Sequence, residues 1–282
     1  LDGREWDAVF DTWSGAPRVV RDAVSALRER VPYYGYVSSC SVYCEPTPAG
    51  ADESHPAVEA EPGAGLTYYP ADKRGAELAV LEGFGASHCL LARAGLILGP
   101  REGPGRLPWW LNRIARGGDV LVPEPADRPR QYVDARDLAD WMVRCAAGGA
   151  AGAFNAISPL GQLTMRTLLE SCAEVTGSGA KLVWVDSDFA LAQGIEPWTE
   201  LPIWLPPGPD LDAHSLDTRR AAAAGLVCRP ILDTVRDTWE WMADGGVSRV
   251  PAGRAAVGLD AAKEQAALDA WWVSSRSSGG VP

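Results

Sequence analysis

Residues 34–43 read Tyr-Gly-Tyr-Val-Ser-Ser-Cys-Ser-Val-Tyr, an apolar run that ends in a cluster of hydroxyls. A short apolar stretch closed by polar residues is the pattern of a buried strand. Working outward, residues 7–12 (DAVFDT) carry the same pattern ahead of it, and residues 88–98 (HCLLARAGLIL) carry it behind, running into the stop Gly99-Pro100. Between these strands lie two helical stretches. Residues 17–30 follow the turn Ser14-Gly15-Ala16-Pro17 with apolar positions at helical spacing, and residues 69–84 hold good helix formers such as Ala71, Ala76, Leu78, Ala79 and Leu81. The order strand, helix, strand, helix, strand predicts a parallel sheet with crossover helices, an α/β fold. Ligands bind such sheets outside the carboxyl ends of the strands. Chemistry is therefore sought just after Phe10, Val37 and Arg93.

Beyond residue 100 the pattern loosens. Residues 107–117 predict a short helix, and residues 134–147 another that opens with Asp134 or Asp137, where a carboxylate is favoured. Thr164 is a candidate cap for a helix reaching about Thr176. Residues 181–185 (KLVWV) read as a strand, residues 195–212 are dense in Pro and Trp and irregular, and residues 215–243 hold two short helices. Residues 46–66 are a loop, and the end after about residue 274 reads as frayed.

The net charge of −11, with no Lys/Arg run to offset it, repels phosphate-rich nucleic acid. No apolar run is long enough for a membrane span. The six cysteines are widely spread and the three histidines are scattered at 55, 88 and 214, so neither metal-ligand spacing nor a histidine base emerges. The thiols read as free in a reduced cytosol, and His55, in an acidic loop, as solvated. No charged-then-apolar leader opens the chain. These properties predict a cytoplasmic protein with a small-molecule partner, and they are compatible with a homodimer.

Two features carry the chemistry. One is the hydroxyl-rich strand end Ser38-Ser39; the other is Tyr69-Pro70-Ala71-Asp72-Lys73, a Tyr-x-x-x-Lys opening a helix. A spacing of four puts both side chains on one helical face. A free phenol, with a pKa near ~10, is a poor acid or base at neutral pH, and a neighbouring ammonium stabilises its anion. A serine hydroxyl from an adjacent strand can then hold a substrate oxygen against the tyrosine while a nicotinamide takes or gives a hydride.

With these motifs the chain resembles the extended short-chain dehydrogenase/reductases, the NAD-dependent epimerase/dehydratase group. DAVFDT is similar to that family's fourth strand, VSSCSVY to its serine-bearing fifth strand, and Asp52-Glu53-x-x-Pro56 to the loop that follows. Tyr69 and Lys73 match its Tyr-x-x-x-Lys pair, LLARAGLILGP its next strand, RPRQYVDARDLA its late "R-D-F-x-x-V-x-D-x-A" motif, and residues 219–242 its closing helices. The resemblance implies a partial Rossmann-like, doubly wound parallel sheet in residues 1–100. Residues 101–282 would then be a smaller mixed substrate lobe, interleaved with late elements of the sheet domain. It also implies residue roles. Ser39 matches the catalytic serine or threonine and contacts substrate. Tyr69 is the general acid/base, and Lys73 tunes it and contacts the nicotinamide ribose. Ala94, Gly95 and Leu96 fall where cofactor and substrate meet, Arg130 matches an arginine that contacts a substrate diphosphate, and Asp137 is structural. The cofactor is NAD or NADP, undistinguished by the sequence.

The departures narrow the reading. Cys44 and Ala94 replace a glycine and a proline of the family pattern, and Cys40-Ser41 stand where its dehydratases carry Asp-Glu, which favours an epimerase or reductase. No G-x-x-G-x-x-G turn follows a strand and opens a helix. The sequence starts about where the family's fourth strand starts, so either a fragment or a truncated homologue is expected, with an exposed edge strand that promotes self-association. The alternative function is a non-enzymatic binding module or an inactive remnant. Trp109, Trp110, Trp198 and Trp204 either line an apolar pocket or pack the lobe. Arg130 either binds substrate or pairs with an acid such as Asp134.

Overall fold

The computed structural model describes residues 3–208, 215–249 and 256–278, so His214 and part of the irregular 195–212 stretch lie outside the described residues. The chain divides into two compact units: Leu1–Ile97 with Gln131–Leu160 and Asp212–Cys228, and Leu98–Arg130 with Gly161–Leu211 and Arg229–Pro282.

The first unit is built on a parallel sheet. Its elements begin β1 (Val9–Asp11), α1 (Pro17–Leu27), β2 (Tyr34–Ser39), α2 (Tyr69–Phe84) and β3 (Cys89–Ala94). The sheet runs β1, β2, β3 and then the strand Gly152–Ala156, with every neighbour parallel. Strand side chains alternate between faces, and the core follows that alternation. Tyr34, Tyr36, Cys89 and Leu91 pack with Val20 and Val24 of α1 and Ala76, Ala79 and Val80 of α2. Leu90, Ala92 and Ala94 point the other way, onto Leu138, Trp141, Met142 and Cys145 of the helix Ala135–Gly148, with Phe154 and Ala156 beside them. Helices thus cover both faces, and the α/β reading of the sequence is what the chain forms.

One local difference from the sequence reading has a physical cause. The strand expected over residues 88–98 breaks at Gly95 into β3 and Leu96–Leu98. A Cβ on Gly95 would lie 2.8 Å from Ile157 Cγ2, so the backbone passes too close there for any side chain. Both carboxylates expected at the start of the helix at 135 lie there: Asp134 is its N-cap and accepts from Arg136 N, and Asp137 stands in its first turn.

In the second unit, strands Asp119–Pro123 and Lys181–Val185 pair in parallel. Helices Arg106–Ala115, Met165–Thr176 and Ile231–Ala243 pack together, the second opened by a capping box on Thr164. The final helix, Ala261–Ser278, is fastened through Glu264, which accepts from Arg113 Nε at 2.5 Å and from Leu121 N at 3.2 Å. Among the described residues no helix is long and apolar enough to cross a membrane, and no group of His, Cys, Asp or Glu is arranged to hold a metal ion.

Candidate active site

Helix α2 begins at Tyr69, and its first turn is fixed by Asp72. The buried Asp72 carboxylate accepts from Thr67 N (2.8 Å) and Thr67 Oγ1 (2.7 Å), tying the incoming chain to the positive end of the helix. Tyr69 therefore stands on the first turn with its ring 40% exposed, and its hydroxyl takes no hydrogen bond among the described residues. One turn on, Lys73 is only 4% exposed. Its Nζ donates to the carbonyl oxygens of Trp13 (2.9 Å) and Val37 (2.8 Å) and lies 4.8 Å from the centre of the Tyr36 ring. The ammonium is thereby held at the carboxyl ends of β1 and β2, a place reached by the helical spacing of four.

Ser39 ends β2 and is paired in register with Ala94, the last residue of β3. Its Oγ interacts with Ser41 Oγ (3.2 Å) and accepts from Ser41 N (3.1 Å). Ser39, Ala94 and Gly95 are thus neighbours at the sheet's carboxyl edge, in the same unit as Tyr69 and Lys73. Ser39 and Tyr69 share no hydrogen bond among the described residues. Leu96 is buried just beyond. Arg130 belongs to the other unit, and Asp134, the acid expected beside it, takes Arg136 at 2.7 Å.

Beneath the site lies a buried charge network that the motifs do not reveal. Glu77, with no exposed surface, accepts from Arg93 Nε (2.9 Å) and Nη2 (3.0 Å), from Arg74 Nη1 (2.8 Å) and from Ser38 Oγ (2.7 Å). It stands at the same spacing after Lys73 as Lys73 does after Tyr69, a repeat that could have marked it in the sequence. The Arg93 guanidinium sits 4.9 Å from the Tyr43 ring centre, and Tyr43 Oη donates to Asn155 Oδ1 (2.5 Å). His55, expected to be solvated, is half-buried, with Nε2 3.0 Å from the Cys44 carbonyl and its ring edge-on to Tyr43. Cys40 Sγ donates to the Arg93 carbonyl (3.1 Å), and burial pushes its thiol up to about 12, so it is no nucleophile at neutral pH.

The tryptophans divide between the two readings. Trp110 and Trp204 are buried packing residues whose indole N–H groups donate to the carbonyls of Pro202 (2.8 Å) and Glu124 (3.0 Å). Trp109 lines a cavity of about 460 Å³ in the second unit, together with Trp239, Trp241 and Met242.

A doubly wound parallel sheet with a Tyr-x-x-x-Lys helix at its carboxyl edge defines the class of short-chain dehydrogenase/reductase folds. The sequence profile described as "NAD dependent epimerase/dehydratase family" matches residues 5–156, and the chain belongs to that family. No curated protein sequence matches it. Three solved structures show the likeness of fold. UDP-glucuronic acid 4-epimerase from Bacillus cereus, in complex with NAD, is 11% identical with a TM-score of 0.57, over 80% of this chain and 66% of that one. RMD from Pseudomonas aeruginosa, complexed with NADPH, is 18% identical with a TM-score of 0.57, over 84% and 82%. The enzyme WbmH from Bordetella bronchiseptica, in complex with NAD+, is 19% identical with a TM-score of 0.60, over 86% and 76%. The chain thus spans just under two thirds of the first of these proteins and more of the others.

Proposed function

We propose that this chain carries out NAD(P)-dependent oxidoreductase or epimerase chemistry at a hydroxyl or carbonyl carbon of a small, sugar-nucleotide-like substrate. The observation that carries the reading is on α2: an exposed phenol on the first turn, and one turn on a buried ammonium drawn to the carboxyl ends of two parallel strands. The solved structures of similar fold name a UDP-sugar epimerase, and NAD or NADPH as bound cofactor, which supports the substrate and cofactor classes.

The residues present fit the nicotinamide-ribose end of such a cofactor. Lys73 supplies a fixed cation where ribose hydroxyls would lie, Tyr69 a free phenol, and Ala94 and Gly95 a wall without bulky side chains. When bound, the nicotinamide accepts or supplies a hydride. The rest is done by the chain. Ser39 Oγ orients the substrate oxygen, and Tyr69 Oη takes that oxygen's proton or returns it. Lys73 stands one turn on, on the same helical face, and would hold the ribose hydroxyls beside the phenol. Leu96 bounds the substrate. The six free thiols suit a reducing compartment, which supports a cytoplasmic location.

The test is titration of the full chain with NADH and with NADPH, followed by energy transfer from tryptophan to the reduced nicotinamide. Saturable micromolar binding is expected, and the preferred dinucleotide decides between NAD and NADP. Tyr69→Phe should keep that binding and slow turnover of a UDP-sugar by about 10² to 10⁴-fold. Absence of binding of either dinucleotide overturns the reading in favour of a non-enzymatic module.

A further inference from the structure

The turn that follows β1 holds a part-exposed tryptophan whose backbone carbonyl meets Lys73. Trp13 is fixed from four directions. Its N–H donates to Asp11 Oδ1 (2.7 Å), and its indole Nε1 donates to the Ala16 carbonyl (3.1 Å). Its carbonyl oxygen accepts from both Lys73 Nζ (2.9 Å) and Tyr36 Oη (3.1 Å). The ring also lies over Gly15, where an added Cβ would stand 3.0 Å from Cζ2 and would push the indole outward by a few tenths of an ångström. Despite these anchors Trp13 remains 44% exposed, at the carboxyl end of a strand of a parallel sheet.

An indole whose N–H is already satisfied within its turn offers a partner only its π face. What suits that face is another flat ring, and Lys73, held by the same residue's carbonyl, would tether one nearby. Holding the side chain in one rotamer before binding removes the ordering cost that a free tryptophan would incur. We infer that Trp13 is a cofactor-contacting residue whose indole stacks on the nicotinamide end of the dinucleotide. This rests on the proposed role of Lys73 at the nicotinamide ribose. Trp13 thus contributes twice, its backbone placing the Lys73 ammonium and its side chain covering the ring, and only the second contribution is lost on substitution.

The experiment compares the full chain with Trp13→Ala and Trp13→Phe, titrated by isothermal calorimetry with NADH, reduced nicotinamide mononucleotide and AMP. Trp13→Ala keeps the carbonyl that holds Lys73, so its expected effect is a rise of about tenfold in Kd for NADH and for the mononucleotide, with AMP unaffected. Trp13→Phe, which retains a ring, should stay within about threefold of the wild type. If Trp13→Ala proves unstable, Trp13→Leu replaces it, since it fills the turn without a π face, and the comparison with Trp13→Phe then decides. Equal NADH affinity in the wild type and the ring-free variant overturns this inference and leaves the proposed function standing. A loss seen with AMP instead of the mononucleotide also overturns it, by moving the contact to the adenine end. A wild-type chain that binds none of the three ligands sinks both.

Discussion

At the scale of single residues, Arg130 is a buried cation with unused capacity. It is 4% exposed, its Nη2 donates to the Leu205 carbonyl (3.1 Å), and its Nε has no hydrogen-bond partner among the described residues. Burial, and then the nearby charge of Arg128, pushes the guanidinium down to about 10. The sign follows from linkage. The fold disfavours the protonated form, so the cost is present at neutral pH and is relieved as pH rises through about 10. An anion placed against Nε would relieve the same cost at pH 7. UDP or inorganic pyrophosphate should therefore raise the Tm of the wild type and leave that of Arg130→Met unmoved. The variant itself should lose no more than about 1 kcal/mol, because an uncompensated buried charge gives way to an apolar chain. Thermal melts with and without ligand check this. A loss of about 3 kcal/mol or more in the free variant would mark Arg130 as a structural anchor.

At the scale of elements, α2 carries the candidate pair Tyr69 and Lys73, and Glu77 sets where α2 sits. Its carboxylate binds Ser38 of β2 and Arg93 of β3, so one side chain fixes the helix bearing Tyr69 and Lys73 against the two strands that end in Ser39 and Ala94. Glu77→Gln leaves Arg93 buried without its counter-charge, and breaking a buried pair from one side costs about 3–5 kcal/mol. Urea unfolding should show a loss of that size. Arg74→Met, which removes a pair open to solvent on one side, should cost about 1 kcal/mol or less. Equal losses in the two variants would contradict the special place of Glu77. This arrangement also shows what the sequence could reveal. The bounds of α2 are legible because Pro70 is tolerated in its first turn, good helix formers such as Ala71, Ala76, Leu78, Ala79 and Leu81 fill its length, and Gly85, at a positive φ of 69°, closes it. The Tyr69–Lys73 pair is legible because its spacing is local. The strand Gly152–Ala156 is not, since Gly-Ala-Phe-Asn-Ala has little strand propensity. It becomes a strand by pairing with β3, by seating Phe154 and Ala156 in the core, and by satisfying the buried Asn155 from Tyr43, Glu53 and Asp217. The Trp13 carbonyl that holds Lys73 lies 60 positions away along the chain, and no spacing rule connects the two.

At the scale of the whole molecule, the burial of thiols and phenols makes alkaline pH the chain's weak side. Burial pushes Cys89 and Cys145 up to about 11 and Cys40 and Cys228 up to about 12, and it raises Cys172 further. Burial likewise raises the phenols of Tyr33, Tyr34, Tyr36 and Tyr43. In the unfolded chain these thiols ionise near their ordinary value of ~8.5 and the phenols near ~10. Between the unfolded and folded values the native state therefore binds more protons, and stability must fall as pH rises through that window. Each fully shifted group takes away up to about 1.4 kcal/mol per pH unit. Arg130 works the other way, but only above about 10, and it is a single group against nine. The net charge of −11, growing more negative as thiols ionise, adds to the same trend. Urea unfolding between pH 7 and pH 10 should thus show a stability that is nearly level to about pH 8.5 and then drops by several kcal/mol. Over the level part the buried thiols should resist alkylation by iodoacetamide, and they should react only as the chain opens. A stability that stays level to pH 10, or thiols that alkylate at pH 8 without unfolding, would show that these side chains reach water in the native state.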